Sequence, residues 1–72
     1  MKLVSLAKGM QARIERLPAG DIRSRFIRIG LVEGAIVSCM ERLPGGTIVL
    51  EFSRQEVALS GDLARSIEIS QL

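Results

Sequence analysis

The chain predicts a mainly β fold, a small and strongly bent antiparallel barrel of about five short strands with one short helix between the first and second. Three observations carry this. Short apolar segments alternate with polar residues and are separated by glycine or proline signals. A single early segment has helical rather than alternating spacing. The chain has 72 residues, of which 47% are hydrophobic and 25% charged, enough for one aliphatic core but too few for several layers. We therefore treat residues 1–72 as a single domain.

The first strand follows Leu3, Leu6 and Gly9, where Met10, Ala12 and Ile14 alternate with Gln11, Arg13 and Glu15. Pro18-Ala19-Gly20 breaks it. The helix then runs from about Ile22 to Ile29, with Asp21 as the expected N-cap. Ile22, Phe26 and Ile29 fall within an arc of roughly 60° at 100° per residue, so they predict a core-facing stripe. Arg23, Ser24 and Arg28 face water. Gly30 sits where a left-handed residue would close the helix, and Leu31 just beyond can pack back on Phe26.

Val32-Glu33-Gly34 turns the chain into a second strand, Ala35 to Leu43, and Pro44-Gly45-Gly46-Thr47 forms a hairpin. A two-residue Gly-Gly turn places Cys39 opposite Phe52 and Glu41 opposite Leu50. Val37, Cys39, Ile48, Leu50 and Phe52 then face inward. The outer face carries Ile36, Met40 and Val49 beside Ser38, Arg42 and Glu51, more apolar than a solvated strand surface requires. After Ser53-Arg54-Gln55 come a strand from Glu56 to Leu59 and a helical turn, Leu63-Ala64-Arg65, capped by Ser60 or Asp62. The last strand alternates Ile67 and Ile69 with Glu68 and Ser70. Near closure of the barrel limits exposed strand edges.

Composition constrains function mainly by what is missing. There is no histidine, which removes the usual general base and the commonest transition-metal ligand. Cys39 is the only cysteine; on the inner face it reads as a small buried hydrophobe, and a lone thiol forms no internal disulfide. A reducing, cytoplasmic compartment fits. The acids Glu33, Glu41, Glu51, Glu56 and Asp62 lie on separate segments without metal-loop spacing. Gly30 and Gly34 lack the Gly-Lys-Ser/Thr of a phosphate loop. No catalytic, cofactor or metal residue is assigned.

Net charge is +2, yet residues 1–30 carry seven Lys/Arg against two acids and residues 31–72 three against six, giving halves of about +5 and −3. A basic half invites a nucleic-acid reading, but stacking platforms need aromatics, and Phe26 is committed to the core. Nucleic acid is not expected. The longest uncharged run, Leu43 to Leu50, is far short of the roughly 20 residues a membrane helix needs.

The ordered set of small signals resembles the FeoA family, small cytoplasmic proteins of bacterial ferrous iron transport. The resemblance runs from Leu6-Ala7-Lys8-Gly9 and Ile14 through Arg25-Phe26, Ile29-Gly30-Leu31 and Gly34. It continues over Val37, Pro44, Gly46, Ile48, Leu50 and Ala58-Leu59 to Ala64, Ile67 and Ile69. Two positions depart from the pattern: Glu33 stands where a proline commonly precedes Gly34, and Phe26 where leucine is usual. The missing proline leaves that turn less preorganised.

The resemblance implies an SH3-like barrel and a non-enzymatic accessory role beside FeoB, a membrane ferrous iron transporter with a cytoplasmic GTP-binding domain. The partner would be its cytoplasmic part, and the membrane is reached only through that partner. Candidate docking residues are Arg23, Ile27 and Arg28 on the wet side of the helix, with Ile36, Met40 and Val49 on the outer sheet face. A homo-oligomer using the same residues competes with this reading. The alternative function is a metal-responsive regulatory module like the C-terminal SH3-like domains of iron-dependent repressors. Those carry a DNA-reading domain upstream, whereas Met1 is expected to lie almost at the barrel. A small enzyme or direct iron carrier is disfavoured by the missing histidine.

Overall fold

In the computed structural model, which describes residues 1–72, five antiparallel strands form one curved sheet. They are β1 (Gln11–Arg16), β2 (Ile36–Arg42), β3 (Ile48–Phe52), β4 (Gln55–Leu59) and β5 (Glu68–Gln71), in the order β4-β3-β2-β1-β5. Helix α1 (Asp21–Arg28) joins β1 to β2, and the shorter α2 (Gly61–Arg65) joins β4 to β5. The predicted strand number, helix position and antiparallel pairing are all observed.

Alternation explains the core. Ala12 and Ile14 of β1, Val37 and Cys39 of β2, Ile48, Leu50 and Phe52 of β3, Leu59 of β4 and Ile69 of β5 are all buried on the concave face. Their neighbours Gln11, Arg13, Met40 and Glu51 are exposed. Burying a Leu, Ile or Phe side chain contributes ~1.5 to 3 kcal/mol relative to leaving it in water, and this face concentrates that gain in one cluster. Leu3 and Leu6, to which the sequence pattern assigned no element, are also fully buried: a 3-10 turn at Leu3–Ser5 seats them on the core.

The start of α1 differs from expectation. Asp21 is the first helical residue, and Gly20 occupies the N-cap position with no side-chain cap bond. Gly20 has φ 91° and ψ −158°, a combination that is essentially glycine-only, so the entry geometry moves the cap one residue earlier. At the other end the expected closure forms. Gly30 has φ 94°, its N–H donates to the Ile27 carbonyl at 3.0 Å, and the Leu31 N–H donates to Phe26 at 2.9 Å. This paired pattern is the Schellman ending. Phe26 and Leu31 are both buried, but Ile29 is 37% exposed and Ile22 only half-buried, so the core stripe is narrower than predicted. Ile29 is the C-cap, beyond the last helical residue, where the chain turns away at Gly30.

The β2–β3 register also departs from prediction. Cys39 faces Leu50 and Ser38 faces Glu51, whereas Glu41 faces Val49 and Arg42 faces Ile48. The connection is one residue longer than a Gly-Gly turn: Leu43 N–H donates to Thr47 at 2.8 Å around Pro44–Gly46. A bulge between Cys39 and Glu41 adds a second one-residue shift. Two shifts of one residue preserve side-chain parity, so the predicted inner residues stay inside.

Between bulge and turn the phase is reversed, and this overturns the placement of Arg42 on the outer face. Arg42 stands opposite the inward-facing Ile48, at the end of the barrel. Its guanidinium nitrogen Nη1 donates to the carbonyls of Val4 and Leu6, each at 2.6 Å, tying the 3-10 turn to the sheet. Helix α2 begins at Gly61, with Ser60 as its cap: the Ser60 hydroxyl accepts from Leu63 N–H at 3.2 Å.

Candidate partner-binding surface

Helix α1 presents two different flanks. Phe26 points into the core, and Arg23 and Ile27, four residues apart, share the flank nearer the following turn. Ile27 is 47% exposed, a large apolar side chain left in water beside a guanidinium. Arg28 lies on the back of the helix, away from Phe26. It forms no ion pair; neither does Arg25.

Arg23 has a structural task. Its Nη1 and Nη2 donate to the two oxygens of Glu33 at 3.0 Å each, a bidentate pair, and Nη1 also reaches the Leu17 carbonyl at 3.5 Å. Glu33 Oε2 accepts in addition from the Leu17 N–H at 3.2 Å. One carboxylate thus connects the end of β1, the first turn of α1 and the turn before β2. The hydrogen bonds from Arg23, then that from Leu17, hold the Glu33 carboxyl below its usual range, and the same pair raises Arg23. Glu33 stands where the family pattern has proline, so the latch occupies the turn that the sequence reading expected to be less preorganised.

The outer-sheet candidates separate into two places. Met40, 39% exposed, marks the bulge beside half-buried Val49, and Val49 faces Ala58 across β3–β4. Ile36, 42% exposed, stands opposite Arg13 at the other end of β2, about 13 Å along the strand from Met40. The structure therefore joins Arg23 with Ile27 and Met40 with Val49, but not all six residues in one patch. Among the exposed apolar residues that sequence reasoning missed are Ile29 and, at 39%, Val32, on either side of Gly30-Leu31. Gln55 Nε2 donates to the Ile29 carbonyl at 2.7 Å, bringing the β3–β4 turn to the end of α1.

No pocket opens in the surface, and no group of three or more His, Cys, Asp or Glu side chains gathers to hold a metal ion. Cys39 is buried, and desolvation pushes its thiol upward, toward the protonated form. No helix is long and apolar enough to cross a membrane.

The sequence profile of the FeoA domain matches residues 1–71. The chain belongs to the FeoA domain family. Among solved structures it is similar to the FeoA protein of Chlorobium tepidum, with a TM-score of 0.90 and 27% identity over all of this chain and 70% of that one. A zinc complex of Stenotrophomonas maltophilia FeoA, described as a prokaryotic SH3 domain protein, has a TM-score of 0.76 and 22% identity over 97% of this chain and 89% of that one. A manganese-dependent transcriptional repressor gives a TM-score of 0.86 and 20% identity over 99% of this chain and 40% of that one. The last two speak for the fold alone. No protein of curated function matches the chain. The barrel is thus SH3-like, and the FeoA family associates the chain with iron transport.

Proposed function

We propose that this FeoA-family domain is a non-enzymatic cytoplasmic accessory protein that docks on the cytoplasmic part of an FeoB-type ferrous iron transporter and modulates uptake. The observation carrying the reading is the FeoA match over residues 1–71. Two named relatives support its direction: an iron(II) transport protein A of Clostridium thermocellum, and the Stenotrophomonas protein, described as a candidate activating factor for ferrous iron transport. Ile27 supplies an apolar anchor and Arg28 an unpaired cation on adjacent parts of α1. Such a combination suits a modest interface with an acidic rim.

Co-purification with the transporter's cytoplasmic part tests the proposal. Ile27→Asp or Arg28→Asp is expected to weaken binding at least ~10-fold, about 1.4 kcal/mol, with an unchanged urea midpoint. Unchanged binding would exclude the α1 surface, and no binding by the wild type would overturn the reading.

The repressor likeness favours a second reading, a metal-responsive regulatory module. It predicts metal-dependent association with a DNA-binding regulator and none with the transporter, measured in the same co-purification with and without manganese or ferrous ion.

A further inference from the structure

The two edges of the sheet are treated differently. Along β5, residues 1–3 lie against the free side: Leu3 N–H donates to Ile67 at 2.9 Å, Ile69 N–H donates to Met1 at 2.7 Å, and Lys2 bridges to Glu68 in the chain and by its ammonium. Nothing comparable covers β4. Its one hydrogen-bonded neighbour is β3.

The turn identifies which groups are free. Ser53 and Arg54 make a two-residue connection, so Phe52 and Gln55 close the hairpin as a hydrogen-bonded pair. Strict alternation then points Val57 and Leu59 at β3 and directs the N–H and C=O of Glu56 and Ala58 away from it. The rest of the sheet agrees in phase. Cys39 bonds to β1's side through Met10 and Gly9, which leaves Ser38 and Glu41 to meet Glu51 and Val49 of β3. Glu56 and Ala58 are exposed, and β4 has no proline, lysine or bulge to blunt it.

Charge selects the occupant. Glu56 stands directly opposite Glu51 in the closer, non-hydrogen-bonded kind of pair, and neither carboxylate meets a cation. Across β3 the next residue in the row is Ser38, which is neutral. The open side of β4 is therefore where a cation can stand directly beside this acidic pair. A second copy pairing β4 to β4 would bring more acids to the same row and relieve nothing.

We propose that β4 is a strand-addition site for an extended partner segment that hydrogen-bonds to the backbone of Glu56 and Ala58 and places a Lys or Arg opposite Glu56. The site uses residues other than those of the α1 surface and does not depend on the transporter reading.

Amide NMR of the full chain tests this with a short alternating Val/Thr peptide carrying one central Lys, and with the same peptide carrying Glu. In the free protein the Glu56 and Ala58 amides should exchange rapidly while Val57 and Leu59 are protected. The Lys peptide should shift and protect Glu56 and Ala58, binding about fivefold more tightly than the Glu peptide. Ala58→Pro removes an N–H that β3 does not use, so the hairpin should stay folded while peptide binding is lost. Glu56→Lys should reverse the peptide preference. Slow exchange at Glu56 and Ala58 without peptide, shifts confined to another surface, equal binding by the proline variant, or concentration-dependent self-pairing at β4 would each overturn the proposal.

Discussion

The turn leading into β2 and the turn leading into β4 both reverse the chain, by opposite means. Before β2, Gly30 takes the left-handed position, buried Leu31 anchors the ending, and Glu33 binds Arg23 and the Leu17 N–H. Before β4, Ser53 and Arg54 adopt φ values of 51° and 64° with side chains that disfavour them. One turn is held by tertiary contacts and relaxed backbone. The other relies on the strands it joins to hold unfavourable dihedrals, and its outer strand has a free edge. The difference teaches that the turn before β2 is the more firmly held of the two, and the turn before β4 the one with a backbone cost left to relieve.

The largest expected effect lies at the anchored turn. Leu31→Ala removes a fully buried side chain on which the helix ending rests and should cost about 2 to 5 kcal/mol. A domain of this size has only ~3 to 5 kcal/mol from its core, so the variant should be largely unfolded in urea titrations at ambient temperature. A loss below ~1 kcal/mol would show that the Schellman ending holds without its hydrophobic contact, and would reverse the proposed ranking of the two turns.

The β3–β4 turn should respond in the other direction. Arg54→Gly relieves a positive φ but makes the unfolded chain more flexible; the balance is a stabilisation of about 0.5 to 1 kcal/mol, read from the urea midpoint. No gain would mean that the Arg54 side chain contributes contacts offsetting its backbone cost.

These two turns also separate what the sequence made legible from what it concealed. Period-two burial identified Val37, Cys39, Ile48, Leu50 and Phe52 as inner residues because side-chain parity survives an even change of register. The bulge beside Met40 was invisible, since an outward Met, Ser or Glu leaves no periodic mark when the phase slips. Arg42 was misplaced for that reason, and its carbonyl partners near Leu3 and Leu6 are distant in sequence. The helix ending was legible because Gly30 and Leu31 act within a few residues of Phe26. At the candidate surface, Ile27 could be located by its angle from Phe26, whereas the engagement of Arg23 could not: its partner lies beyond the helix, at the position where the family pattern has proline.

That engagement gives the smallest and most specific test, because the Arg23–Glu33 pair lies at the surface and is screened by solvent. Its sign follows from linkage. Hydrogen bonds from Arg23 and Leu17 hold the Glu33 carboxyl below its unfolded value of about 4.3, so the folded state favours the ionised form. The contribution is fully present above the unfolded pKa and is lost as pH falls through the lower folded value. Glu33→Gln should therefore have its greatest destabilising effect near neutral pH, with the difference from wild type shrinking on acidification. Glu68, also held low by Lys2 and the N-terminal amine, remains in both proteins and cancels from the comparison. Urea midpoints of the two proteins between neutral pH and pH ~3 would measure the difference. A gap independent of pH would assign the effect of Glu33 to its shape in the turn, and the two turns would then differ in backbone alone.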